Sequence, residues 1–322
     1  MIKYWIQEDK TLRTIEKDEI SSSRRLWIDA RNVTQAEISL LQKEYKLDGE
    51  LLLDVIDPDE LSRLEPGDDG YNLVIMRLPV FTPNAETAYT TTPIGAFIFP
   101  DKIITICWTD CEVLKDLSAN RIKDLSLNDF PAFLIRILSR SDTMFLRYLK
   151  EISRRVNSIQ NEIRGTIEND ELIQLLNLEK SLTYFTTSLK SNQLLLEKMR
   201  RTRVLKLDDD DQDWLDDVEV DSKQAMEMAS TYSAITSGVM DAFANILSNN
   251  MNVIMKKLTV ISLVLMIMSF ITSFWGMNIR LPWSHGDNWI GFICISILCV
   301  VSAIVAYIVM NLSPKNKRGK RS

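Results

Sequence analysis

The sequence predicts an α+β membrane protein: an N-terminal cytoplasmic α/β domain, long coiled-coil stalk helices and a C-terminal two-helix transmembrane hairpin. Three observations carry that prediction. Two charge-free apolar runs, Leu258–Trp275 and Trp289–Met310, close the chain, and no comparable run precedes Met255. At ~1.5 Å per residue they rise about 27 Å and 33 Å, close to the ~30 Å of a bilayer's hydrocarbon core. Ahead of them no proline occurs between Pro131 and Pro282, and only Gly165, Gly238 and Gly276 interrupt a stretch rich in Leu, Glu, Lys and Gln. Such composition favours long helices. Residues 1–140, by contrast, alternate strand-like and helix-like runs punctuated by proline and glycine.

In the N-terminal domain, Met1–Gln7 alternates as a strand and Leu26–Ala30 reads as a second. Thr34-Gln35-Ala36-Glu37 has the form of a capping box, with Val33 and Ile38 placed for a hydrophobic staple, so a helix is expected from Thr34 to about Tyr45. A short helix over Leu51–Ile56 should end at Pro58. Tyr71–Leu78, Ile94–Phe99 and Lys102–Cys107 are β-rich apolar runs, and Glu112–Leu117 and Phe130–Ser139 return to helical spacing. No dinucleotide-binding, P-loop, zinc-protease or nucleophile-elbow pattern occurs, so no catalytic residue and no organic cofactor is expected. The single histidine, His285, argues against a His-based zinc site. Cys107, Cys111, Cys294 and Cys299 form no CxxC pair and read as small apolar residues in a reducing compartment.

In the stalk, residues 141–257, Phe145, Leu149, Ile152, Val156, Ile159 and Ile163 alternate by four and three, a coiled-coil seam. After Asn169-Asp170 a second seam runs through Leu175, Leu178, Leu182, Phe185, Leu189, Leu196 and Met199. The two should pair as an antiparallel hairpin. A third helix is expected from about Asp211 to Trp275, some 97 Å if continuous, crossing into the membrane without a linker. The segments beyond it are a first span (258–275), an external loop (276–288), a second span (289–310) and a basic tail (311–322). Lys256 and Lys257 precede the first span, and Lys315, Lys317, Arg318, Lys320 and Arg321 follow the second. The loop carries only Arg280 as a fixed cation. The positive-inside bias therefore places both termini in the cytoplasm, with the inner (plasma) membrane as the location. The N-terminal ten residues do not read as a signal peptide.

Three features could carry chemistry. On the first span, Asn252, Met255, Thr259, Ser262, Met266, Ser269 and Ser273 recur at intervals of 3 and 4, within an arc of about 100° on a helical wheel. Val260, Leu263, Ile267, Phe270, Ile271 and Phe274 occupy the opposite face. Such a stripe suits either an ion path or close helix packing. The acidic run Asp208, Asp209, Asp210, Asp211, Asp213, Asp216 and Asp217, with Glu219 and Asp221, suits a solvated helix N-terminus. It suits equally a divalent-cation site, since hard cations take oxygen ligands and relieve repulsion between carboxylates. Gly276-Met277-Asn278 closes the first span. A ring of Asn side-chain carbonyls could hold the water shell of Mg²⁺ without a strong charge trap.

With these residues in view, the sequence resembles the CorA-type magnesium transporters, which end their first span in Gly-Met-Asn and follow it with a second. Ser237-Gly238, Asp241, Ser248–Asn252, Met255, Leu258 and Thr259 resemble that family's approach to the pore, and Leu26–Ala30 and Leu73–Leu78 its N-terminal domain. The resemblance implies a homopentamer with the long helix lining the pore. It implies Asn278 at the external selectivity ring and constrictions at Asn252, Met255, Leu258 and Met266. It places Asp217 in a cytoplasmic regulatory Mg²⁺ site between subunits, for which Phe81–Tyr89 offers only Glu86 as a partner acid. Two departures stand out. Trp275 precedes Gly-Met-Asn where the family commonly has Tyr, and Asp287 is the loop's only acid. The expected partners are sister subunits, divalent cations and lipid, with no nucleic acid. Mg²⁺ is expected as both cargo and regulator, with Co²⁺ or Ni²⁺ as further substrates. A Zn²⁺ transporter of the same superfamily and a non-transporting, membrane-anchored cation sensor are the alternatives.

Overall fold

A computed structural model of the chain describes residues 1–20, 25–67, 70–123, 125–162, 169–202, 205, 207–277 and 289–312. The chain divides into two units, Met1–Met240 and Asp241–Ser322.

The first unit is built on a seven-stranded sheet. Its strands are β1 (Ile2–Glu8), β2 (Thr11–Ile15), β3 (Leu26–Arg31), β4 (Arg63–Pro66), β5 (Asn72–Phe81), β6 (Tyr89–Ile98) and β7 (Lys102–Cys107). Their order is β2-β1-β3-β7-β6-β5-β4. β3 and β7 run parallel, Leu26 opposite Lys102 through Arg31 opposite Cys107, and every other neighbouring pair is antiparallel. Both faces are covered, which is why β5 to β7 read as continuous apolar runs rather than alternating ones.

One face packs against α1 (Gln35–Tyr45) and α2 (Gly49–Ile56). Ile38 and Leu41 of α1 and Leu52 and Val55 of α2 join Ile28, Ala30, Leu73, Ile75, Phe97, Ile104 and Ile106 in one core. α1 begins as its sequence requires: Thr34 accepts from the Glu37 N–H and Glu37 accepts from the Thr34 N–H, a complete capping box. α2 approaches β6 at Gly95, where any Cβ would collide with the Val55 side chain.

The other face carries α3 (Glu112–Ser118), α4 (Phe130–Glu162) and α5 (Asn169–Arg201). Trp27 stacks on Trp5 and meets Phe133 of α4 edge-on. The helical spacing over Phe130–Ser139 and the seam from Phe145 belong to one helix, because Pro131 sits in its first turn, where no intrahelical N–H is lost. Both seams are buried, from Phe145 to Ile159 on α4 and from Leu175 to Met199 on α5. Ile163 lies outside the described residues. Phe145 and Phe185 meet edge-to-face, ring centroids 5.0 Å apart.

α5 is fastened to the sheet by polar groups. Arg77 of β5 is 6% exposed, donating to the Pro58 and Glu60 carbonyls at 2.9 and 2.6 Å and to Ser188 Oγ and Thr91 Oγ1 at 2.9 Å. Asn192 of α5 meanwhile pairs with both backbone groups of Arg77. Arg77 forms no ion pair among the described residues, and burial pushes its guanidinium down from its ordinary pKa, with the charges of Asp59 and Asp57 only partly opposing the shift.

α6 is a single helix, Asp209–Trp275. Within the first unit its buried residues are Asp211, Leu215, Val218, Ser222, Ala225, Ala229, Thr236 and Val239. From Leu215 on they keep the intervals of a coiled-coil seam, with small residues at its centre. The second unit holds the rest of α6 and α7 (Trp289–Leu312).

Candidate ion path and cation sites

The membrane reading rests on exposure. An 18-residue window of α6 has a mean hydropathy of 2.0, and none of it is buried within the chain. Among the described residues α6 is the one helix long and apolar enough to cross a membrane; α7 contributes the shorter described run Phe292–Val305. Leu263, Ile267, Phe270 and Phe274 stand 42–70% exposed. Water does not tolerate an apolar surface of this extent, so lipid or further protein has to cover it.

On the same helix Asn252, Met255, Thr259, Ser262, Met266, Ser269 and Ser273 are exposed along one stripe, together with Leu258. Thr259 Oγ1 donates to the Met255 carbonyl at 2.8 Å, a bond within the helix that lets a hydroxyl stand at membrane depth. Thr272, off the stripe, bonds the Ser269 carbonyl. The helix ends as the Gly276 N–H reaches the Thr272 carbonyl, with Gly276 and the half-exposed Met277 leaving it. Asn278 and the loop with Arg280, His285 and Asp287 lie outside the described residues, as does the basic tail.

The acidic run divides by position on α6. Asp208 and Asp211 cap its N-terminus reciprocally: Asp208 Oδ1 accepts from the Asp211 N–H at 2.8 Å, and Asp211 Oδ2 from the Asp208 N–H. Asp129, which caps α4 by accepting from the Ala132 N–H, comes to the same place. The three carboxylates offer oxygens within 4.8 Å of one another. Burial, then crowding by Asp129, Asp208 and Asp210, raises the Asp211 carboxyl above its ordinary pKa. Two helix N-termini partly offset the repulsion; a divalent cation would offset the rest. Asp209, Asp210 and Asp213 point to solvent, Asp216 pairs with Arg200, and Asp217 and Asp241 are exposed. Asp217 forms no ion pair among the described residues. Glu86 reaches Lys180 of α5, 3.9 Å away.

Two groups were not legible as site residues in the sequence. Asp129 is one. The other is Asp142 of α4, 2% exposed, whose carboxyl burial pushes well above its ordinary pKa, with the charge of Asp221 adding to the effect. The contacts run in register, Asp129 with Asp208 and Asp211 and Arg136 over the Trp214 ring, with Asp221 near enough for its charge to act on Asp142, so α4 and α6 lie parallel. Ser222, beside Asp221, has a buried hydroxyl without a hydrogen-bond partner among the described residues.

Comparison with known proteins matches this architecture. A family model described as CorA-like Mg²⁺ transporter protein matches residues 22–318. The cobalt/magnesium transport protein CorA of Methanocaldococcus jannaschii is 25% identical over 311 residues, 94% of this chain and 96% of the relative. The solved structure of the complete CorA magnesium transporter from that organism superposes with a TM-score of 0.77 at 22% identity, covering 98% of both chains. The full-length CmaX structure follows at 0.67 and 15% identity, covering 97% of this chain and 96% of its own. At these identities the superpositions speak for the fold.

Proposed function

We propose a transport function on one premise: the chain belongs to the CorA-like Mg²⁺ transporter family. The proposed molecule is a homopentameric, channel-like transporter of the inner (plasma) membrane, with both termini cytoplasmic. It moves Mg²⁺ inward, with Co²⁺ or Ni²⁺ as further substrates. The observation that carries the reading is the bare first span, an apolar helix with no covering partner among the described residues and a polar stripe along one side. Lipid suits the face with Leu263, Ile267, Phe270 and Phe274. It does not suit Asn252, Ser262, Ser269 and Ser273, which a ring of sister helices would turn toward a shared axis.

In this mechanism Gly276, Met277 and Asn278 form the outer mouth, where Asn carbonyls hold a hydrated ion. Thr259, Ser262, Ser269 and Ser273 offer hydroxyls along the path. Asn252, Met255, Leu258 and Met266 are its constrictions, and the hydrophobic, narrow segment near Met255, Leu258 and Met266 forms the gate. A membrane potential of 100 mV contributes about 4.6 kcal/mol to the entry of a doubly charged ion. Cytoplasmic Mg²⁺ would bind among the acids of the first unit, around Asp208, Asp209, Asp210, Asp211, Asp213 and Asp217, with Asp129, and with Asp142 and the Asp221 whose charge acts on it. Asp241 is the last acid on α6 before Asn252. Bound ions would hold subunits together and the path closed; their loss would leave like charges to push the ring open.

Purified protein in liposomes tests the mouth. Asn278→Ala should cut Mg²⁺ uptake at least tenfold while leaving the pentamer intact on size-exclusion with light scattering. Unchanged uptake removes Asn278 from the selectivity ring.

A further inference from the structure

Between the β5–β6 turn and the helices α4 and α5 lies a cavity of about 370 Å³. The turn closes as the Thr82 N–H reaches the Ala88 carbonyl at 2.8 Å, and Asn84 adopts the left-handed conformation within it, at φ 64°. This brings Glu86 to the cavity wall. Ile159 of α4 and Leu178 of α5, both buried residues of the two seams, give the cavity an apolar floor. Arg155 lines it one turn before Ile159, and Gln174 and Asn177 line it from one face of α5. The volume falls within the ~300–1,000 Å³ of small-molecule sites, which also combine apolar lining with a few convergent polar groups.

The chain itself makes little use of these polar groups. Arg155 lies over the Tyr89 ring, 5.7 Å from its centroid, near enough for its charge to act on the hydroxyl. It forms no ion pair within 4 Å among the described residues. Glu151, one turn earlier on α4, is taken by the Tyr89 hydroxyl and by Arg147 instead. Glu86 is 77% exposed, and its one ion pair among the described residues, with Lys180, is long at 3.9 Å. The carboxamides of Gln174 and Asn177 have no hydrogen-bond partner among the described residues. The lining therefore holds one cation, one carboxylate and two groups that each donate and accept. A simple anion on Arg155 would be opposed by the charge of Glu86, and a simple cation on Glu86 by that of Arg155. A molecule that carries both charges is opposed by neither.

We propose that this cavity binds a small zwitterion, a free amino acid. Its carboxylate lies on the Arg155 guanidinium and its ammonium on the Glu86 carboxylate, with its side chain over Ile159 and Leu178 toward the two carboxamides.

The test uses the full-length protein in detergent with EDTA. Thermal denaturation is followed against L-glutamine, L-leucine, acetate and ethylammonium in turn, at ionic strength held constant with KCl. The expected result is a saturable rise in Tm with at least one amino acid and none with acetate or ethylammonium over the same range. Solutes excluded from the protein surface also raise Tm, but without saturating, so a linear rise counts against binding. Arg155→Gln and Glu86→Gln, both at exposed positions, should each raise the half-saturating concentration at least tenfold. The Tm without ligand reports whether each variant is folded. Absence of saturation with both amino acids overturns the proposal. So does saturation that either variant leaves unchanged, or that acetate or ethylammonium reproduces. Ion flux does not enter this measurement, so its outcome is separate from that of the transport reading.

Discussion

Replacing Arg77 by methionine tests how α5 is fastened to the sheet. Methionine keeps much of the apolar stem and removes every guanidinium donor. Thr91 and Ser188 lose a partner but retain each other, 2.8 Å apart. The Pro58 and Glu60 carbonyls lose the donor that Arg77 supplied. A buried polar group left unpaired costs about 1–3 kcal/mol, so two cost about 4 kcal/mol. Against this, the wild type buries a guanidinium whose desolvation outweighs the attraction of Asp59 and Asp57, a cost seen in the downward push on its pKa, and methionine relieves it. The balance is a loss of about 2 kcal/mol. For a unit of this size a change of 1 kcal/mol moves Tm by roughly 2–4 °C, so Arg77→Met should lower Tm by about 4–8 °C. Differential scanning of full-length protein in detergent reads the shift. Hydrogen exchange should show lost protection in β5 and in α5 around Ser188–Asn192. A Tm unchanged or raised would mean that the network does not hold α5, and that apolar packing alone does.

Other positions give sharp outcomes. Asp142 has its carboxyl pKa raised in the folded chain, so its contribution to stability is greatest below the ordinary aspartate range and is lost as pH rises through the raised value. In EDTA, Asp142→Asn should therefore raise Tm at pH 7.5 and flatten its fall between pH 5 and 7.5, and a lower Tm across that range would contradict the assignment. If Mg²⁺ binds beside it, 10 mM Mg²⁺ should stabilise the wild type more than this variant. Gly95→Val would drive a side chain into Val55; overpacking of this kind costs about 1–3 kcal/mol, read as a Tm drop that the double variant Gly95→Val with Val55→Ala partly restores.

Local signals were legible in the sequence and distant ones were not. The Thr34 capping box involves four consecutive residues, and the structure contains it atom for atom. The seams from Phe145 and Leu175 follow from spacing, and their described residues are buried as expected. β7 agrees with the sequence reading to the residue. β2 was not legible because only Leu12 and Ile15 of Thr11–Ile15 point inward, and β4 because it has four residues and ends in Pro66. Strand order, including the parallel β3–β7 pair, depends on contacts across about 75 residues that no window reveals. The acidic cluster shows the same limit. Asp208 and Asp211 stand out in a charged run, whereas Asp129 and Asp142 reach the same interface from α4, and nothing around them in the chain marks them.

The measurement closest to the central claim is ion flux into liposomes holding the purified wild-type protein. Mg²⁺, Co²⁺ and Zn²⁺ are offered outside, with an inside-negative potential, and with or without a proton gradient. The account predicts Mg²⁺ entry that rises with the potential, needs no proton gradient, and slows when the liposomes are preloaded with Mg²⁺. Proton-coupled Zn²⁺ entry without Mg²⁺ flux would contradict the choice of ion, and no flux of any of the three would contradict transport itself.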